Sequence, residues 1–170
     1  MKYLLIAFLV SSLAFQSQAQ SRAQLEAEFD SAYAVRIKLE EINGVYIPRD
    51  LEDAFAELER LSSPEDLKKF QSAPEEAART KFHLGLGQWI IINWGFYEGS
   101  RLSDYLRTAG LLHPEDMARV ILVCFHRHLN HQPLLFEEEV AFYHAQREKE
   151  RLERENKKEV IQEETHVKKE

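Results

Sequence analysis

From Leu84 to Ile92 the chain carries a single polar side chain, Gln88. A helix that is apolar on every side has no face to offer water, so the rest of its domain must enclose it. The expectation is a buried central helix over this stretch. Its start is read at Ser72-Ala73-Pro74-Glu75, as a capping box, and its end at Asn93.

The flanking sequence breaks into further helices. Leu25, Phe29, Ala32, Tyr33 and Ile37 recur at helical spacing before a stop at Asn43-Gly44. Val45-Tyr46-Ile47-Pro48 is too short for an independent sheet, Pro48 with Asp50 opens the next helix, and Leu51, Ala54, Phe55, Leu58 and Leu61 form its buried stripe. Ser63-Pro64-Glu65-Asp66 opens a short helix to about Gln71, and Ser100 caps one carrying Leu102, Tyr105 and Leu106 to a stop at Gly110. His113-Pro114-Glu115-Asp116 begins another, with Met117, Val120, Ile121, Cys124 and His128 on one stripe and Asn130 and Pro133 at its end. The last starts near Phe136 and buries Val140 and Tyr143.

No long alternating strand pattern and no internal repeat is present. The fold class that follows is all-α: a single compact domain of about six or seven helices around the buried central one, plus a charged C-terminal helical extension. Its divisions are a leader over 1–19, an N-terminal amphipathic helix over 20–44, the helical domain over 45–145 and a helical or disordered tail over 146–170. The tail is dominated by charge of both signs, and Leu152, Val160, Ile161 and Val167 keep no heptad, which argues against a coiled coil.

The leader has the parts of a secretory signal peptide: Lys2, an apolar run from Tyr3 to Phe15, then Ser17-Gln18-Ala19 before cleavage. That run would rise only about 20 Å as a helix, against roughly 30 Å of hydrocarbon, so signal cleavage is expected in place of a retained anchor. The expected location is therefore periplasmic or extracellular. With 22 Lys+Arg against 29 Asp+Glu, a net charge of −7, the chain makes a poor partner for nucleic acid. Its one cysteine, Cys124, lies in an apolar run and is expected to be a buried free thiol, because a chain of this length needs no disulfide staple.

Several ordered blocks carry a resemblance. His83-Leu84-Gly85-Leu86-Gly87-Gln88-Trp89-Ile90, Asn93-Trp94-Gly95, Ser100-Arg101-Leu102-Ser103, His113-Pro114-Glu115-Asp116-Met117 and His126-Arg127-His128-Leu129-Asn130 follow one another between Tyr46 and Tyr143. Together they resemble an uncharacterised bacterial family, a domain of unknown function, whose members read roughly H-F-G-L-G-x-W-I-R-N-N-W-G, then H-P-D-D-M and later H-R-x-L-N. Ile91 and Ile92 stand where that family often has Arg and Asn. The resemblance implies a helical domain and brings no activity with it.

Gly85 and Gly87 each cost about 1 kcal/mol relative to Ala inside a helix, which asks for a compensating close approach, by a neighbouring helix or by a ligand. The pattern lacks the preceding strand and third glycine of a dinucleotide site. Polar and aromatic groups gather towards the end of the central helix, so the expected binding surface is His83, Trp89, Asn93, Trp94, Phe96 and Tyr97. The competing reading makes the tryptophans core and Asn93 a helix cap. His126 and His128 point about 200° apart on a helix, and the spacing of His131 completes no zinc set, so neither metal nor cofactor is expected. No catalytic residue is assigned. The expected function is a non-catalytic binding or protein-interaction module for a protein partner or small ligand. The alternatives are an enzyme pairing His83 or His126 with Asp116 as acid-base groups, and a structural envelope protein.

Overall fold

Pro114 fixes the first turn of a helix whose next residues, Glu115 and Asp116, favour its positive end, and the apolar run that follows keeps it going to Leu129. In the computed structural model, which describes residues 22–167, with side chains to Lys158, this helix is the centre of the molecule. Every residue from Asp116 to Arg127 is buried except Arg119. In chain order the elements are α1 (22–36), β1 (Glu41–Ile42), β2 (Val45–Tyr46), α2 (Leu51–Leu61), α3 (Pro64–Gln71), α4 (Glu75–Arg79), a π-helical turn (His83–Gly87) running into α5 (Gln88–Asn93), α6 (Arg101–Thr108), α7 (Pro114–Leu129) and α8 (Phe136–Val167). The fold is all-α, a compact helical domain with one small hairpin. The expected leader lies outside the described residues. No helix among the described residues is long and apolar enough to cross a membrane.

The enclosed helix is thus α7 and not the stretch from Leu84 to Ile92. Ile90 and Ile91 point into the core, but Leu84 is 78% exposed and Ile92 68%. Nor does one helix run to Asn93. No side chain caps α4, and Thr80 turns its hydroxyl back onto the Glu76 carbonyl (2.8 Å), a bond that bends helices, where α4 ends. The chain then widens: the Phe82 amide donates to the Ala77 carbonyl (2.9 Å) and the Gly87 amide to the Phe82 carbonyl (3.1 Å), each reaching five residues back.

Around α7 the local signals act as expected in most places. Asp50, Ser63 and Ser100 accept hydrogen bonds from the third residues of α2, α3 and α6, and Ser103 returns the bond to Ser100. Leu51, Ala54, Phe55 and Leu58 are buried, with Phe55 stacked on Phe125 at 5.8 Å, while Leu61 reaches solvent. Leu102, Leu106, Val140 and Tyr143 close the core, and Cys124 is buried within it, its thiol pKa pushed up to about 12 by desolvation.

The N-terminal region differs from its expectation. Asn43 (φ 53°) and Gly44 (φ 76°) are the turn of a hairpin that pairs Glu41 with Tyr46 and Ile42 with Val45, so α1 ends before it, at residue 36. Leu25 and Phe29 are exposed, and α1 is held through Tyr33 and Arg36 instead. The Tyr33 ring covers Gly99, its hydroxyl donates to Asp104 (2.7 Å), and Arg36 donates to the Gly99 carbonyl (3.0 Å).

Candidate binding groove

The π-helical turn exists around His83. Its imidazole folds back over Gly87, where a Cβ would stand 2.5 Å from Nδ1, so the glycine makes room for the ring of the preceding turn. The close approach expected at Gly87 is real, but it comes from within the same turn and not from a neighbouring helix or ligand. Gly85 meets nothing within 4 Å. His83 is only 3% exposed, and Nδ1 has no hydrogen-bond partner. Desolvation pushes its pKa below the ordinary histidine value, and the Arg119 cation adds to that, while Glu115 and Asp116 pull the other way.

Two ion-pair clusters fix α8 against this region. Arg79 grips Glu139 with both terminal nitrogens and lies over the Phe142 ring (5.3 Å). Arg127 shares Glu139 (2.8 Å), holds Glu75 with two bonds (2.8 and 2.7 Å), and donates to the Leu134 carbonyl (2.8 Å). In the second cluster Arg147 takes both oxygens of Asp116 (2.7 and 2.8 Å) and reaches Glu150 (3.2 Å). Arg119 makes one long contact to the same Asp116 (3.4 Å). Bidentate guanidinium–carboxylate pairs of this kind fix orientation as well as charge.

Between the clusters lies a groove of about 580 Å³, with α4 and the π-helical turn on one side, α8 on the other and α7 supplying Arg119. Arg79, His83, Leu84, Arg119, Phe142 and Arg147 are among its walls. Its size falls within the range of small-ligand sites.

Of the residues expected to form the binding surface, only His83 lines this groove. Trp94 and Phe96 are core residues, so neither can present a docking face. Trp89, 36% exposed, packs edge-on against Trp94 at 5.9 Å. Asn93 donates to the Trp89 carbonyl (2.8 Å), and Gly95 (φ 65°) ends the helix through the bond from the Phe96 amide to the Ile91 carbonyl (3.0 Å). Tyr97 is exposed and donates to Glu115 (3.0 Å). The gathering of polar and aromatic groups is therefore divided between core and surface.

The acid-base partners do not meet. His126 donates through Nε2 to the Ala73 carbonyl (2.8 Å), and Asp116 is held by Arg147. No hydrogen bond joins Asp116 to His83 or to His126 among the described residues. His128 lies outside the core stripe and bonds Glu59 (3.0 Å), while the Cys124 thiol faces the Leu134 carbonyl (3.7 Å). Among the described residues no group of three or more His, Cys, Asp or Glu could hold a metal ion.

Sequence reasoning missed Arg79, Arg119, Glu139 and Arg147. Arg119 did carry a signal: it is the one charge between Asp116 and His126 in an otherwise apolar helix, so it marks the side of α7 that faces something polar.

Residues 47–129 match the model of a family described as a domain of unknown function, DUF6794. No curated protein matches the chain, and no solved structure does. The matched span begins just after β2, runs through α7 and stops before α8, so it contains one wall and the floor of the groove and not the wall opposite.

Proposed function

We propose that the chain is an exported, non-catalytic binding module that takes a ligand in the groove between the π-helical turn and α8. One observation carries this reading. The acid-base pairing an enzyme would need is not assembled: Asp116 is held by Arg147, His126 by the Ala73 carbonyl, and His83, which lines the groove, has no partner on Nδ1, whereas the groove beside it stays open. A general acid or base has to reach the proton it transfers, and a carboxylate tied by two guanidinium bonds is a poor candidate. Export rests on the leader composition of residues 1–19.

The test is a fragment screen read by backbone amide shifts on the labelled chain, with each hit then incubated and checked for chemical change. Hits that shift amides of Leu84, Arg119 and Phe142 and are recovered unchanged support the reading. Turnover of a hit, or hits confined to other surfaces, would overturn it.

A further inference from the structure

We infer that the groove's ligand is an organic anion, with its carboxylate or phosphate oxygens on Arg119 and its apolar portion between Leu84 and Phe142; this rests on the groove being the binding site. Arg119 carries more donors than the protein offers it acceptors. A guanidinium has five N–H donors, and Arg119 uses one, at 3.4 Å, on a carboxylate that Arg147 already grips through both oxygens. Its side chain is 30% exposed, and it is the one residue of the buried stretch of α7 that opens to the groove.

Beside it the buried His83 ring has an unpartnered Nδ1 packed on Gly87. The remaining cations are committed, Arg79 to Glu139 and Arg147 to Asp116. Of the groove's carboxylates, Glu76 faces Arg79 (3.7 Å) and Glu150 faces Arg147 (3.2 Å), so the Arg119 donors not used on Asp116 have no protein acceptor among the described residues, and a planar carboxylate or a phosphate oxygen pair matches the guanidinium fork.

The rim sets the rest of the ligand. Leu84 and Phe142 are large apolar side chains exposed at the two walls, one on the π-helical turn and the other on α8. An ion with no hydrocarbon would leave both in water. An uncharged hydrocarbon would displace water from Arg119 and offer its remaining donors no acceptor. A small amphiphile with an anionic head satisfies both.

The experiment uses the full chain with four probes: decanoate, decyl phosphate, decan-1-ol and inorganic phosphate, each titrated by calorimetry and by amide shifts. Decanoate or decyl phosphate is expected to bind at the groove, the tighter of the two naming the head group, with decan-1-ol weaker by about tenfold or more, as loss of a charge-assisted bond implies. Arg119→Gln should reduce anion binding by a similar factor while Arg119→Lys restores part of it. Because Leu84 is exposed, Leu84→Asp should fold normally and also weaken both amphiphiles.

Equal binding of decanol and decanoate, or no effect of either variant on a bound anion, overturns the inference while the groove remains a binding site. Inorganic phosphate binding as tightly as decyl phosphate removes the apolar half of it. If the fragment screen finds groove ligands and none is anionic, the inference fails alone. If nothing shifts groove amides in either experiment, the binding reading fails with it.

Discussion

His83 is a base buried where its charged form is disfavoured, and that gives its contribution to stability a sign. Its folded pKa lies below the ordinary 6.5 through desolvation first and Arg119 second, so the unfolded chain takes up the proton more readily. The contribution is fully present above about pH 6.5 and declines as pH falls from there towards the lowered folded value. The charged groups around it are Arg119, Glu115 and Asp116 on α7 and Arg147 and Glu150 on α8. Urea unfolding between pH 7.5 and pH 5 should therefore show stability falling with acid, and His83→Gln should flatten that slope. An unchanged slope in the variant would place the acid sensitivity elsewhere. At this scale the sequence was informative about identity and poor about surroundings. His83 stood out by its glycine-rich neighbours, yet its partnerless nitrogen and its nearness to Arg119 depend on α7, separated from it in the chain. Trp94 and Phe96 were misplaced because an aromatic next to glycine reads the same in a core corner as on a binding loop.

Among the elements, the π-helical turn makes the sharpest claim. Gly87 is required by the ring above it, and Gly85 by nothing the structure shows. Gly87→Ala should lower stability by about 1–3 kcal/mol, because the new methyl and the His83 imidazole compete for one place. Gly85→Ala should leave stability unchanged or raise it by up to about 1 kcal/mol, because its side chain would enter open space. Thermal or denaturant midpoints of the two variants, taken together, check this; equal losses at both would contradict the geometry. Element boundaries were legible wherever a side chain caps an end, as at Asp50, Ser63 and Ser100, since capping is local chemistry. They were illegible where the ending comes from backbone turns. Asn43-Gly44 looked like a helix stop and is a hairpin turn, and the break after Arg79 has no proline or glycine to announce it. The largest misreading exchanged two helices: apolar content over Leu84–Ile92 suggested the centre, although the run from Met117 to Phe125 on α7, of equal length and interrupted by Arg119, is the one enclosed.

For the molecule as a whole, function depends on whether α8 is a fixed wall. Its early turns bury Val140 and Tyr143 and hold Asp116 and Glu139 in ion pairs with α4 and α7, and its later turns carry local pairs such as Arg151 with Glu148 and Glu155. If the helix departs, Arg79 and Arg127 lose the buried carboxylate they share, Glu139, and keep only Glu75 and Glu76 on α4, which disfavours departure. The all-α class was readable from helical periodicity, but the groove was not, because it is made by residues more than fifty positions apart whose only sequence trace is an arginine inside an apolar run. Native-state hydrogen exchange tests the central claim most directly. Amides of α7 and of α8 from Val140 to Arg147 should exchange together, at the rate of global unfolding, while those from Arg151 to Lys158 exchange much faster. If the Val140–Arg147 amides instead exchange as fast as the charged extension, α8 is not a permanent wall, and the groove with the function assigned to it is lost.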